Sequence, residues 1–215
     1  MKKFELTTNT KMHLGKKLFQ IKALISFGDV EAGELGGYIE KEENLDQSGN
    51  AWVYGDARVY GNARVSGDAR VYGNARVTGN AWVADNARVT GDARVTDNAW
   101  VTGDARVTGD AWVTDNAWVT GDARVTGDAR VTGDARVTGD ASYTTIKGFG
   151  REYRTTTFFR CKDGKVRVQC GCFYGDLKEF RAIVKETHGE SKKAKEYLMI
   201  ADLMELHFEE NENDK

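Results

Sequence analysis

From Gly49 to Thr144 the chain repeats one six-residue phrase sixteen times with no insertion. The copies run from GNAWVY, GDARVY and GNARVS through DNAWVT to three successive GDARVT and a worn last copy, GDASYT. Within each copy, Ala and Val alternate with Arg or Trp and with Thr or Tyr, a period of two that sets Ala and Val on one face of a very short strand. Gly or Asp followed by Asn or Asp then makes a corner, because these residues tolerate left-handed backbone angles. With no proline anywhere in the chain, Gly, Asn and Asp must make all such bends. A flat side followed by a bend, repeated without interruption, predicts a solenoid whose core is columns of Val and Ala.

Val at one position with Ala two residues before it, every six residues, resembles the hexapeptide-repeat left-handed β-helix. That resemblance implies a mainly β fold in which three hexads make one triangular coil of 18 residues, so the repeat would give about five coils. At roughly 4.8 Å between neighbouring strands such a prism is on the order of 25 Å tall. The wording GGYIEKEENL ahead of GNAWV also resembles a group of hexapeptide-repeat proteins found in phages and their bacterial hosts.

Coils of 18 residues stack each outward residue on others 18 away. One side then carries Trp52, Arg70, Arg88, Arg106 and Arg124, and a second carries Arg58, Arg76, Arg94, Trp112 and Arg130. The third carries Arg64, Trp82, Trp100, Trp118 and Arg136, so three of the five Trp residues are contiguous on one side. Three stacked indoles offer several hundred Å² of largely apolar surface, near the upper range for a monomer's biggest patch. Trp82, Trp100 and Trp118 with Arg64 and Arg136 are therefore the candidate partner-binding residues. The competing readings are rings that only satisfy one another, as cross-strand aromatic pairs do, and a small-molecule site. The Arg columns are expected to be a solvated surface, because the solenoid sets twelve corner Asp against ten Arg and no copy holds two acids.

Residues 1–48 lie outside the repeat. FELT and KLFQIKALISF read as strands, with Asn9 and Gly15 as turn signals. Ile39 and Leu45 are six apart and in step with Ala51, which predicts a degenerate opening coil. A solenoid's first coil has an open core end and an unpaired edge, so a β-rich cap is expected there.

Residues 145–215 lose the period and read as a small α+β module. TTTFFRC and KVRVQCGC are strand-like runs joined by KDG, a hairpin turn. Asp176 with Glu179 opens one helix and Ser191 a second, in which Tyr197, Ala201, Met204 and Phe208 share a stripe. Arg151, Arg154, Arg160, Lys162, Lys165 and Arg167 are interleaved with Phe149, Tyr153, Phe158 and Phe159 over residues 145–172, the mixture that binds phosphates and stacks bases. These six cations are the candidate nucleotide or phosphate contacts, set against a reading in which the aromatics are simply the module's core. Cys170 and Cys172 alternate onto one strand face and, with Cys161 and His188, contain the elements of a four-ligand metal site at no standard spacing; buried structural thiols are the expectation.

No run approaches the roughly 18 apolar residues of a membrane span, and MKKFELTTNT lacks the apolar core of a signal peptide. Three Cys make no disulfide framework, and a cytoplasmic location is expected. Hexapeptide acyltransferases and the zinc carbonic anhydrases of the resembling fold depend on His residues of the prism, and no His lies between Ser48 and Thr144. No catalytic residue, cofactor or metal site is therefore assigned. The expected function is a non-enzymatic interaction protein, with a rigid solenoid that self-associates or docks on a protein partner. The phage resemblance implies a modulator or inhibitor of a host system, such as host defence. Nucleotide or nucleic-acid binding through the basic hairpin is the alternative, and an acyltransferase-like enzyme comes third.

Overall fold

A computed structural model describes residues 2–139, 142–149 and 154–209, with no side-chain account of Arg154. Two antiparallel strands, β1 (Phe4–His13) and β2 (Lys16–Ala23), lead into β3 (Leu35–Ile39). Fifteen two-residue strands follow at six-residue intervals, from β4 (Trp52–Val53) to β18 (Arg136–Val137). The chain then forms an antiparallel sheet of β19 (Tyr143–Phe149), β20 (Arg154–Arg160), β21 (Val166–Cys170) and β22 (Phe173–Asp176), and ends in helices α1 (Leu177–His188) and α2 (Lys192–Phe208).

The short strands stack in parallel, each on the strand 18 residues away, so that Val59 pairs with Val77 and Val89 with Val107. They make three flat sheets around one core, a parallel β-solenoid of about six turns once β3 is counted. Every Ala and Val of the template from Ala51 to Val137 is buried. Strands this short bury little each, and backbone bonds between coils, such as Arg88 N to Ala105 O at 2.9 Å and Thr90 N to Val107 O at 2.9 Å, run the length of the prism.

The corners carry a second set of bonds along the axis. Asn62, Asn80, Asn98 and Asn116 form a ladder in which each side-chain amide donates to the next at 3.0–3.2 Å, and Asn116 passes the chain to Asp134 at 3.4 Å. Corner acids work the same way: Asp85 accepts from Gly103 N at 3.0 Å, and Asp115 from Gly133 N at 3.1 Å and from the Thr132 hydroxyl. The Thr132 hydroxyl first, with the Gly133 amide, holds the Asp115 carboxyl below the usual carboxylate range against the opposing effect of burial. These acids thus quiet the surface by satisfying amides and hydroxyls of the next coil. Arg70 takes its ion pair from Asp29 of the cap instead.

The cap differs from its sequence reading in two respects. Asn9 makes no turn; it sits in a bulge of β1, where the register shifts between Leu6 and Thr10 and Asn9 Nδ2 bonds Gln20 Oε1 at 2.7 Å. The β1–β2 turn is at Leu14 and Gly15, both with positive φ. More consequentially, Ile39 pairs with Val59 and Leu45 with Val65, a step of 20 residues where later coils step by 18. Ile39 and Leu45 therefore continue the Val columns and are not in step with Ala51. The two extra residues fall in the corner 46–50.

That widened corner is a socket for Lys3, which is buried. Its Nζ donates to the carbonyls of Ala51 at 3.0 Å, Ser48 at 3.2 Å and Gly49 at 3.3 Å, and its backbone N–H bonds Gln47 Oε1 at 2.8 Å. Burial lowers the Lys3 pKa from 10.5 to about 8, although the charges of Asp46 and Asp68 pull the other way. Below about pH 8 the ammonium is charged in both folded and unfolded chains, and its burial is fully costly. Between about 8 and 10.5 the folded chain has shed the proton that the unfolded chain still holds, so stability rises with pH across that window. Urea unfolding of the wild type and of Lys3→Met at pH 7.5 and pH 10 should show a gain unique to the wild type, bounded at about 3 kcal/mol by the size of the shift. An equal pH response in both would show that Lys3 is not desolvated.

The C-terminal module closes the other end. Phe159 and Cys161 join the solenoid core, Ala135 bridges Cys161, and Arg130 N bonds Thr157 Oγ1 at 3.0 Å. The sequence predicted one hairpin, and the KDG turn does join β20 to β21; β19 and β22 complete a four-stranded sheet. Asp176 and Glu179 form a reciprocal capping box at 2.8 Å each, and Ser191 caps α2. A second core of Phe158, Val168, Phe180, Tyr197, Ala201, Met204 and Phe208 joins the sheet to the helices.

Candidate functional site

The third side of the prism brings its predicted residues into one parallel register: Arg64 pairs with Trp82, Trp82 with Trp100, Trp100 with Trp118 and Trp118 with Arg136. Each is the first residue of a two-residue strand whose second residue is an inward Val, so the pleat sends the indole outward. Trp82 meets Trp100 edge-on at 5.1 Å, and Trp100 stacks on Trp118 at 4.9 Å with rings 4° from parallel. The Arg136 guanidinium lies 4.2 Å from the Trp118 ring and donates to Asn116 O at 3.1 Å and Ala135 O at 3.0 Å. Trp82 Nε1 donates to Ser66 Oγ at 2.9 Å.

The rings therefore do satisfy one another, yet Trp82, Trp100 and Trp118 remain 38%, 36% and 38% exposed. A column fixed by stacking and by a guanidinium at one end has little rotamer freedom left to lose on binding. Toward the capped end, Glu42 and Glu43 of the 3-10 turn Glu42–Asn44 line, with Trp82 and Trp100, a groove of about 880 Å³. Its lining also includes Arg64, Asp46 and the ladder residues Asn62 and Asn80. Lys2 already engages Glu42 at 2.8 Å.

The other two Trp residues have other surroundings. Trp112 is sandwiched between Arg94 at 4.5 Å and Arg130 at 5.1 Å. Trp52 is fully buried beneath the cap, edge-on to Phe27 at 5.3 Å and Phe4 at 6.2 Å. Repeat position alone could not reveal this, because the covering rings come from outside the repeat.

The basic hairpin is less of a unit than its sequence. Phe158 and Phe159 are buried, in different cores, where Phe158 meets Phe180 edge-on at 6.2 Å and Phe159 stacks on Tyr174 at 6.4 Å. Arg160 Nη2 donates to Phe208 O at 2.8 Å, tying β20 to the end of α2, and Arg167 is ion-paired with Asp163 at 2.8 Å. Lys147 is paired with Asp128 of the solenoid. Lys162 and Lys165 are exposed. Arg151 and Tyr153 lie outside the described residues, as does the side chain of Arg154.

The thiols also separate. β21 ends at Cys170, which accepts from Thr156 Oγ1 at 3.2 Å, and Gly171 at φ +61 turns the chain so that exposed Cys172 is off the strand face predicted for both. Cys161 is buried, and its thiol pKa is raised by that burial. Among the described residues no three His, Cys, Asp or Glu side chains converge as metal ligands would.

Parallel coils in fixed register, closed at both ends and bearing one ordered aromatic side, define a β-solenoid repeat protein. The family model described as the YdcK β-solenoid repeat matches residues 57–71 and 69–85, and the hexads are similar to that repeat. No curated protein matches the chain. Among the described residues no helix is long and apolar enough to cross a membrane.

Proposed function

We propose that this chain is a non-enzymatic interaction protein that docks on a protein partner through the Trp82–Trp100–Trp118 side. The observation that carries the reading is the contrast between equivalent positions: the cap covers Trp52 completely, while three contiguous indoles are held rigidly and left over a third exposed. Rigid aromatic anchors with polar surroundings are the chemistry of interface hot spots. The groove lined by Glu42, Glu43, Trp82 and Trp100 adds carboxylates to apolar rings, which favours a partner segment carrying apolar and basic side chains. The likeness of the opening coil to hexapeptide proteins of phages and their hosts supports a setting in which the partner is a host protein and the chain a phage-encoded modulator of it, with inhibition of host defence one such role. Three free thiols support a reducing, cytoplasmic setting.

Trp100→Thr tests this directly. Thr is a strand former that the repeat already carries at its outward sixth position, so the cost in stability should be only about 1 kcal/mol, the scale of a surface aromatic pair. Capture of a partner from host lysate by the immobilised wild type should fall at least about tenfold in the variant, the loss of one hot-spot residue. Equal capture by both proteins would end the reading.

A further inference from the structure

A second surface stands apart from the prism. On α2 the residues Tyr197, Ala201, Met204 and Phe208 face the module core, and Asp202 and Glu205 are drawn toward α1 by Arg181 at 2.8 Å and 2.6 Å. Met199, Leu203 and Leu206 recur at intervals of four and three, a single stripe on the side of the helix opposite that core. They are 71%, 54% and 65% exposed, the most solvent-exposed apolar group on either helix. An exposed stripe of three long apolar side chains is unusual on a helix already anchored by its other face. Residues 210–215 are Glu-Asn-Glu-Asn-Asp-Lys and carry nothing apolar to cover it.

We infer that this stripe pairs with the same stripe of a second copy, the two α2 helices running antiparallel about a two-fold axis near Leu203. The charge pattern selects this occupant. The helix begins with Lys192, Lys193 and Lys195, of which Lys192 is paired with Glu196 at 3.7 Å, and it ends at Glu209, Asp202 and Glu205 being engaged by Arg181. Antiparallel pairing sets Met199 against Leu206, brings Leu203 to the axis beside its own copy, and places Lys195 of one chain near Glu209 of the other. Parallel pairing would set Lys on Lys and Glu on Glu. A surface apolar at its centre and opposite in charge at its two ends is self-complementary under a two-fold axis. The stripe is short against the roughly 1,200 Å² of a stable interface, so the dimer is a weak one, with Kd in the micromolar range. Such pairing would present two Trp sides on one particle and raise the avidity of the docking proposed above. It uses a different surface and stands or falls separately.

Light scattering of the full chain should give monomer at about 1 µM and a growing dimer fraction toward about 300 µM, as a micromolar Kd requires. Leu203→Glu should abolish the dimer with the circular dichroism and melting temperature of the folded protein intact, while Trp100→Thr should leave it unchanged. In a Cys172→Ser background, Leu203→Cys should form a disulfide-linked dimer on mild oxidation, because the axis brings the two thiols together. If Leu203→Glu fails to fold, the cysteine cross-link alone decides. A wild type that stays monomeric at the highest concentration overturns the inference. So does a dimer that survives Leu203→Glu, or one abolished by Trp100→Thr, since each places the contact elsewhere.

Discussion

Trp52→Ala is expected to lower the free energy of unfolding by about 4 kcal/mol, within the range for deleting a buried indole, whereas Trp100→Ala should cost about 1 kcal/mol, the scale of a surface aromatic pair. The two residues hold the same place in the six-residue phrase. They differ because Phe4 and Phe27 close over Trp52, which has no exposed surface, while Trp100 keeps over a third of its own. The loss at Trp52 also reaches beyond one side chain. It opens a void between the cap and the first coil, and a solenoid's end coil relies on its cap for its only outer neighbour. Trp52 Nε1 is buried with no acceptor among the described residues, so Trp52→Phe removes a buried donor while filling most of the space. That variant should therefore recover at least half of the stability lost in Trp52→Ala. Urea denaturation of the three variants checks the ranking. Equal costs at Trp52 and Trp100 would mean that the cap does not seal the core.

A second large effect is expected at one kind of glycine and not at its twin. Gly79 and Gly127 both open a corner with positive φ, +71 and +62. A β-carbon on Gly79 would lie 2.6 Å from the backbone nitrogen of Asp97 and 2.8 Å from its Cα, whereas one on Gly127 meets nothing within 4 Å. Gly127→Ala should then cost only the left-handed strain of about 1–2 kcal/mol. Gly79→Ala must add the displacement of a neighbouring coil's backbone in mid-prism, for a total of about 4 kcal/mol or more. Thermal melts of the pair decide it, and similar melting temperatures would show that coils yield to a methyl group more readily than their spacing implies.

These contrasts mark what the sequence could and could not disclose. The columns were legible because parallel stacking at a constant 18-residue step is arithmetic, and Arg64, Trp82, Trp100, Trp118 and Arg136 fall into register as that arithmetic requires. Both helices and their caps were legible from local signals at Asp176, Glu179 and Ser191. What escaped was set by contacts distant in the chain. The two residues added at the first corner shift Ile39 and Leu45 onto the Val columns, and the widened corner holds Lys3, from more than forty residues earlier in the chain. Phe158 and Phe159 are buried as the core reading of the module's aromatics expected, but that Phe159 joins the solenoid core and not the module's own depends on how the sheet meets the last coil. The exposed stripe of α2 was masked by its neighbours. Apolar residues surround that helix almost completely, so its periodicity shows the buried face and hides the second one.

The constant step also governs how a chain like this can change length. Loss or gain of three hexads moves everything downstream by one whole coil and leaves each column intact. Loss of a single hexad is different: it indexes the rest of the molecule by one side. Deleting Asp85–Thr90 would leave Trp82 on its own side and deal Trp100 and Trp118 onto the side of Arg58 and Arg76, while the C-terminal module turned by a third of a revolution relative to the cap. Repeat slippage in the gene would thus act as a ratchet with three positions. Only every third click would restore both the aromatic column and its bearing relative to α2.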